Sequence, residues 1–194
     1  MQDNSNQIPS HITIPNLLTM ARIVAIPVFV LVYYLPYEWR YVAAAVIFAG
    51  AGITDWFDGY LARKWGQMTK LGAFLDPVAD KLIVAIALVV LVEAHSTLWM
   101  VIPATVIIGR EITISALREW MAELGKRASV AVSYVGKIKT FLQMLAITGL
   151  IGSHVNMDSW VAISSYVLLY IATLLTLWSM LVYLKAAWPE LKES

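Results

Sequence analysis

Six apolar stretches, each close to the length that crosses a lipid bilayer, take up most of this 194-residue chain and leave little else to fold with. A spanning helix needs about 20 mostly apolar residues, because lipid offers the backbone no partner and only a helix satisfies its own hydrogen bonds. The candidates run over residues 16–35, 41–63, 72–92, 98–117, 130–151 and 161–184. Connections between them are short. The expected fold is therefore an all-α integral membrane protein, with a six-helix domain over 16–184, a juxtamembrane segment over 1–15 and a tail over 185–194. Composition agrees, with 60% hydrophobic and 14% charged residues, against roughly 25% charged in soluble domains. A net charge of +1 gives no field to attract nucleic acid, and none is expected as a partner. The chain has no cysteine, which excludes disulfides, thiol nucleophiles and thiolate-bound metals. The first fifteen residues carry no Lys or Arg, unlike a secretory signal, so the first apolar run reads as a retained span. Residues 8–15, with Ile8, Ile12 and Ile14 among polar neighbours and two prolines, either lie along the membrane surface or fray.

Four candidates are interrupted by charge near one end. The second meets Asp55, the third carries Asp76 and Asp80, the fourth meets Arg110 and Glu111, and the fifth holds Lys137 and Lys139. If the helices alternate in direction, these ends share one side, which predicts a polar cavity open to one face of the bilayer. Basic residues name that face, because Lys and Arg collect in cytoplasmic loops. Arg63, Lys64, Lys70, Arg118, Lys126, Arg127, Lys185 and Lys192 lie on the cavity side, and Arg40 alone lies opposite. Both termini and the cavity are expected to be cytoplasmic. Tyr37, Trp39, Tyr41, Trp99 and Trp160 fit an outer interfacial belt, and Trp65, Trp120 and Trp188 an inner one. The small residues Ala43, Ala44, Ala45, Ala49, Gly50, Ala51 and Gly52 either let helices pack closely or leave room for a nucleotide beside a thin helix.

The chemistry concentrates in one stretch. Asp55, Asp58, Asp76 and Asp80 lie within 26 residues of a hydrophobic chain, although each charge at membrane depth costs on the order of 3 kcal/mol. Asp55 and Asp58 are three apart, on one helix face. Gly72, Asp76 and Asp80 repeat every four residues along the next. A short loop brings the two helices together, and the four carboxylates can converge. Unneutralised they would repel, and two divalent cations balance them. An all-oxygen set without His or Cys suits Mg²⁺ or Mn²⁺ rather than zinc or copper. Paired metals of this kind clamp the oxygens of a phosphoryl displacement. Gly59, Ala62 and Gly72 leave space for a flat ring, and Arg63 can pair with a diphosphate oxygen. Pro77, directly after Asp76, predicts a helix start or a kink.

The eight positions Asp55, Asp58, Gly59, Ala62, Arg63, Gly72, Asp76 and Asp80 resemble, without departure, the signature of the CDP-alcohol phosphotransferase family. The resemblance implies six transmembrane helices, a homodimer and a cytoplasm-facing cavity. It implies that Asp55 and Asp76 bridge two metals, that Asp58 binds one, and that Asp80 binds the other and acts as general base. It further implies that Gly59, Arg63 and Thr69 contact the CDP moiety, with Asn16, Thr19 and Arg22 of the first helix on the nucleotide side. Residues 74–81, 109–112, 116–127 and 136–140 resemble bacterial members that transfer a phosphatidyl group from CDP-diacylglycerol to sn-glycerol 3-phosphate in the inner membrane. The expected products are phosphatidylglycerophosphate and CMP.

A phosphorylated acceptor needs cations of its own, since metals and aspartates roughly cancel. Arg110 and Arg118 are eight residues apart, about 80° around a helix, and can both face the cavity. Lys137 and Lys139 are about 200° apart, so a regular helix turns only one inward. These four residues are the candidate phosphate pocket. Three other readings remain open at the level of sequence. One is the same reaction with inositol phosphate, serine or choline as acceptor. Another is a divalent-cation transporter, and the last a structural membrane adaptor, which explains the basic loops but not the eight-position pattern.

Overall fold

The computed structural model describes residues 14–65, 70–123, 134–153 and 158–193. It contains six α-helices: α1 (Ile14–Tyr33), α2 (Arg40–Trp65), α3 (Lys70–His95), α4 (Leu98–Glu123), α5 (Tyr134–Gly152) and α6 (Trp160–Glu193). Each expected span falls on one of them. Helix ends shift by a few residues, and two features depart further from expectation. Pro77 does not start a helix, since α3 begins at Lys70 and runs through it. The ring denies the carbonyl four residues earlier its usual amide, a loss that neighbouring helices can tolerate in a packed bundle. The last helix does not stop at 184 but continues to Glu193, carrying the expected tail in helical form.

The helices pack in a closed circuit, α1 on α2, α2 on α5, α5 on α6, α6 on α4, α4 on α3, and α3 back on α1. The middle is crossed by α3, which also meets α2 and α5. By length and apolar content, α4 and α6 each suffice to cross a bilayer among the described residues, and shorter apolar helices cover Leu17–Tyr33, Arg40–Thr54 and Ile138–Gly152.

Burial is inverted relative to a water-soluble protein. Along α1, Leu17, Met20, Val24, Val28 and Leu31 are exposed, while Thr19 and Arg22 are 1% and 2% exposed. The buried polar set also includes Arg110, Lys139, Gln143, Ser165, Thr173, Thr176 and Ser179. Soluble proteins bury Arg and Lys only rarely, and an outer surface this rich in large apolar side chains needs a non-aqueous neighbour.

The two ends of the bundle differ. One half is dry, with Phe29, Phe48, Leu88, Leu91, Met100, Leu150 and Ile151 in a single apolar cluster. Arg40 closes that end. Its Nη1 donates to the Leu35 carbonyl at 2.8 Å, and its guanidinium carbon sits 4.5 Å from the Tyr41 ring centroid. The expected outer belt lies here too. Tyr37 and Trp39 stack at 5.6 Å, Tyr34 donates to Glu93 at 3.1 Å, and Tyr170 donates to the Trp99 carbonyl at 3.0 Å. His95, which sequence gave no chemistry, pairs with Tyr166.

Small residues bring helices into close contact. Ala44, Ala45 and Ala51 are buried, and a Cβ built on Gly152 would reach the Ala45 Cβ at 3.5 Å. Packing of α2 against α5 thus accounts for part of the small-residue run. At Gly149 of α5, a Cβ would run into Ser165 Oγ of α6, and even the Ser165 Cβ would stand only 3.1 Å away. Rotating the hydroxyl cannot relieve the second contact. Gly149→Ala is therefore expected to cost about 1–3 kcal/mol, the usual penalty of overpacking. It should appear as a lower thermal-inactivation midpoint in detergent; an unchanged midpoint would show that α6 shifts aside freely.

Candidate active site

The polar end is built from the N-terminal turns of α1, α3 and α5 and the C-terminal turns of α2, α4 and α6, the same end of an alternating bundle. On α3, positions 72, 76, 79, 80 and 83 fall within an arc of about 100°. Gly72, Ala79 and Ile83 are buried, and Asp76 and Asp80 half-buried. Phe74, Val78 and Leu82 occupy the opposite, exposed side. The acidic stripe thus faces the bundle interior. The helix α2 is continuous from Arg40 to Trp65, so positions 55, 58, 59 and 62 share an arc of about 100° on its last turns. The side chains of Asp55, Asp58, Ala62 and Arg63, the surroundings of Gly59, the side chains of Asn16 and Lys137, and Thr69 as a whole lie outside the described residues.

The first helix joins this stripe directly. The Thr19 hydroxyl donates to Asp76 Oδ1 across 57 positions of sequence, and Arg22 lies on the same buried side one turn on. Of the three α1 residues suggested only by family likeness, Thr19 touches the acidic stripe and Arg22 is buried one turn along the same helix. Among the described residues no three His, Cys, Asp or Glu side chains gather, two of the four aspartates being outside that set. The donors that are described fit hard cations: carboxylates one turn apart, with a hydroxyl on one of them and no sulfur or imidazole.

A cluster of opposite sign lies beside it. On α4, Arg110 is buried, and its Nη1 approaches Glu111 Oε1 at 2.5 Å. The Lys139 Nζ of α5, 4% exposed as a residue, reaches the same oxygen at 3.5 Å. Arg110 Nη2 also donates to Ser179 Oγ of α6 at 3.3 Å. Arg118 is exposed, with its Nε directed at the Ile114 carbonyl at 3.4 Å, and it lies within electrostatic reach of Lys139 together with Arg110 and Glu111. The structure thus brings Arg110 and Lys139 together and leaves Arg118 nearer the rim. The two clusters meet through α3 and α4. Lys81, next to Asp80, donates to Ser115, one turn along α4 from Glu111. A cleft of about 450 Å³ lies between these helices, lined by Lys81, Glu111, Ser115 and Glu119 with apolar neighbours.

Sequence reasoning gave no role to Glu111, Gln143, Thr176 or Ser179. Their signal was available. Thr173, Thr176 and Ser179 repeat every three residues in an otherwise apolar span, and Gln143 follows Lys139 by one turn, on the same face.

An inward-facing, half-buried acidic stripe beside a buried pair of cations, at one end of a lipid-facing bundle, suits transfer of a phosphate-linked group. Residues 12–178 match the model of the CDP-alcohol phosphatidyltransferase family. The chain belongs to that family, whose members are integral membrane proteins and generally use divalent metal ions. Among its relatives is a Yersinia pestis (strain Pestoides F) protein named CDP-diacylglycerol--glycerol-3-phosphate 3-phosphatidyltransferase. It is 56% identical over 94% of this chain and 98% of its own length. An Escherichia coli (strain K12) protein of the same name is 56% identical over 92% of this chain and 96% of its own length.

Proposed function

We propose that this chain transfers the phosphatidyl group of CDP-diacylglycerol to sn-glycerol 3-phosphate, releasing CMP and forming phosphatidylglycerophosphate. Likeness along nearly the whole chain, at 56% identity, to relatives named for that reaction supports it. The observation that carries the acceptor is the buried pair Arg110 and Lys139 sharing the single carboxylate of Glu111. Among the described residues, two cations against one anion leave a positive excess in a place where unpaired charge is costly, and a phosphate monoester supplies the missing negative charge. Serine or choline would leave that excess standing.

In this reading Asp55, Asp58, Asp76 and Asp80 hold two divalent cations, Mg²⁺ or Mn²⁺. Bound there, the metals supply positive charge to the diphosphate and its departing CMP. Asp80 takes the proton from the acceptor's primary hydroxyl. The acceptor oxygen then attacks the β-phosphorus of the lipid, and the bond from that phosphorus to CMP breaks. An unperturbed Asp, with a pKa near 3.9, is a weak base at neutral pH, so alignment and charge supply most of the acceleration. Asp76 is oriented by the Thr19 hydroxyl. Gly59, Ala62, Arg63, Thr69 and Gly72, with Asn16 and Arg22, frame the CDP moiety. Arg110 and Lys139 receive the acceptor phosphate, with Arg118 and Lys137 as its further candidate ligands. The polar end faces the cytoplasm of a bacterial inner membrane, with both termini on that side, and the working form is a homodimer, as family likeness implies.

Purified protein given CDP-diacylglycerol and each of glycerol 3-phosphate, inositol phosphate and serine, with and without chelator, tests the reading through CMP release. Turnover is expected with glycerol 3-phosphate in Mg²⁺ or Mn²⁺, and background rates with serine or excess chelator. Product from serine but none from glycerol 3-phosphate would overturn the acceptor; undiminished turnover without metal would overturn the site.

A further inference from the structure

We propose that Glu111 is a positioning residue for the acceptor's phosphate, holding Arg110 and Lys139 side by side so that both reach the same anion. The proposal rests on the phosphorylated-acceptor reading above and assigns a residue that reading leaves without a task.

The geometry is specific. One oxygen, Glu111 Oε1, meets Arg110 Nη1 at 2.5 Å and Lys139 Nζ at 3.5 Å. The cations come from different helices, α4 and α5, so the carboxylate fixes a relation between helices. Neighbours on a helix diverge by about 100° and do not naturally face each other. The contact between Arg110 and Glu111 therefore draws the guanidinium sideways around α4, towards Lys139. Without the carboxylate, two buried like charges would repel and swing apart. Glu111 cannot bind the phosphate itself, since both are anions. It acts through the pair that it holds.

The surroundings have polar capacity to spare. Arg110 Nε, Gln143 Oε1 and Thr176 Oγ1 are buried and have no hydrogen-bond partner among the described residues. Gln143 and Thr176 are 5% and 0% exposed. Gln143 lies one turn from Lys139, and Thr176 one turn from Ser179, which accepts from Arg110. Buried polar groups are normally paired, and of these three atoms Arg110 Nε and Thr176 Oγ1 can donate, so unused donors beside the cation pair mark a place for an anion; Gln143 Oε1 accepts only. On its other side Glu111 borders the cleft between α3 and α4, facing Lys81, Ser115 and Glu119. Lys81 is engaged with Ser115, and no cation besides Arg110 and Lys139 bonds the carboxylate among the described residues.

Steady-state kinetics of Glu111→Ala and Glu111→Gln, varying each substrate in turn, test the idea. Glu111→Ala should raise KM for glycerol 3-phosphate at least about tenfold, the scale of one charged hydrogen bond. KM for CDP-diacylglycerol should stay within about twofold and kcat within about threefold of native. Glu111→Gln keeps an oxygen for Arg110 but not the charge for Lys139, and should fall between native and Ala. An acceptor KM that is unchanged or lowered in Glu111→Ala would overturn the proposal. So would a joint fall in kcat and rise in both KM values with loss of folded protein, which is the mark of a merely structural ion pair. If Glu111→Ala does not fold, Glu111→Gln decides, with a rise of about threefold expected and a native value overturning. A native enzyme that releases no CMP with any phosphorylated acceptor refutes the acceptor reading instead, and so is distinguishable from failure of Glu111's role.

Discussion

Asp80→Asn is expected to cut CMP release by roughly three orders of magnitude or more, with expression and membrane insertion unchanged. The substitution preserves shape and removes both a negative charge and a proton acceptor. General-base removal alone typically costs a factor of about 10²–10⁴, and loss of a carboxylate proposed to hold metal adds to it. Asp80 is half-buried on α3, one turn beyond Asp76, and the core beneath it is formed by Ala79 and Ile83, which the change leaves alone. Stability should therefore move little while turnover collapses. Radiolabelled CMP release in detergent micelles, alongside a thermal-inactivation curve, separates the two. More than about a tenth of native activity would remove Asp80 as the essential base.

Arg110→Met should lower kcat/KM for glycerol 3-phosphate by about a hundredfold, almost wholly through KM. Truncating one member of a buried charge pair typically costs 2–5 kcal/mol, and here the loss should fall on the acceptor. Methionine replaces the apolar stem of Arg110 in the bundle, and Lys139 remains to balance Glu111. Ser179 retains its bond to the Thr176 carbonyl at 2.9 Å. The fold thus has reasons to survive the change. KM for CDP-diacylglycerol should remain native, because the site proposed for that substrate is the other cluster. The preference for glycerol 3-phosphate over unphosphorylated glycerol should shrink by a comparable factor. A native preference in this variant would place the phosphate elsewhere.

Much of this was legible because lipid imposes a strict rule. A charged residue inside an apolar run announces itself, so Asp55, Asp76, Asp80, Arg110 and Lys139 could be picked out, and alternation of the spans put them at one end. The 200° between Lys137 and Lys139 predicts that a regular helix turns only one inward; Lys139 is buried, and the Lys137 side chain lies outside the described residues. What sequence could not give were contacts between distant segments. Thr19 and Asp76 are 57 positions apart, and no periodicity links them; only family likeness drew notice to Thr19. Glu111 read as one more polar residue, because its meaning depends on α5 lying beside α4. Pro77 left two readings, a helix start or a kink, and the start is excluded because α3 begins at Lys70 and carries the proline inside it. The small-residue run of α2 had two readings of equal form, and only the packing of Ala45 against Gly152 favoured one for that segment.

The dry half of the bundle also bears on traffic. Phe29, Phe48, Leu88, Leu91 and Leu150 fill it, and Arg40 at its end bonds the Leu35 carbonyl and lies over the Tyr41 ring, so among the described residues that half offers a polar solute no wet passage. On the function proposed above, soluble reactant and nucleotide by-product then share the doorway at the wet mouth.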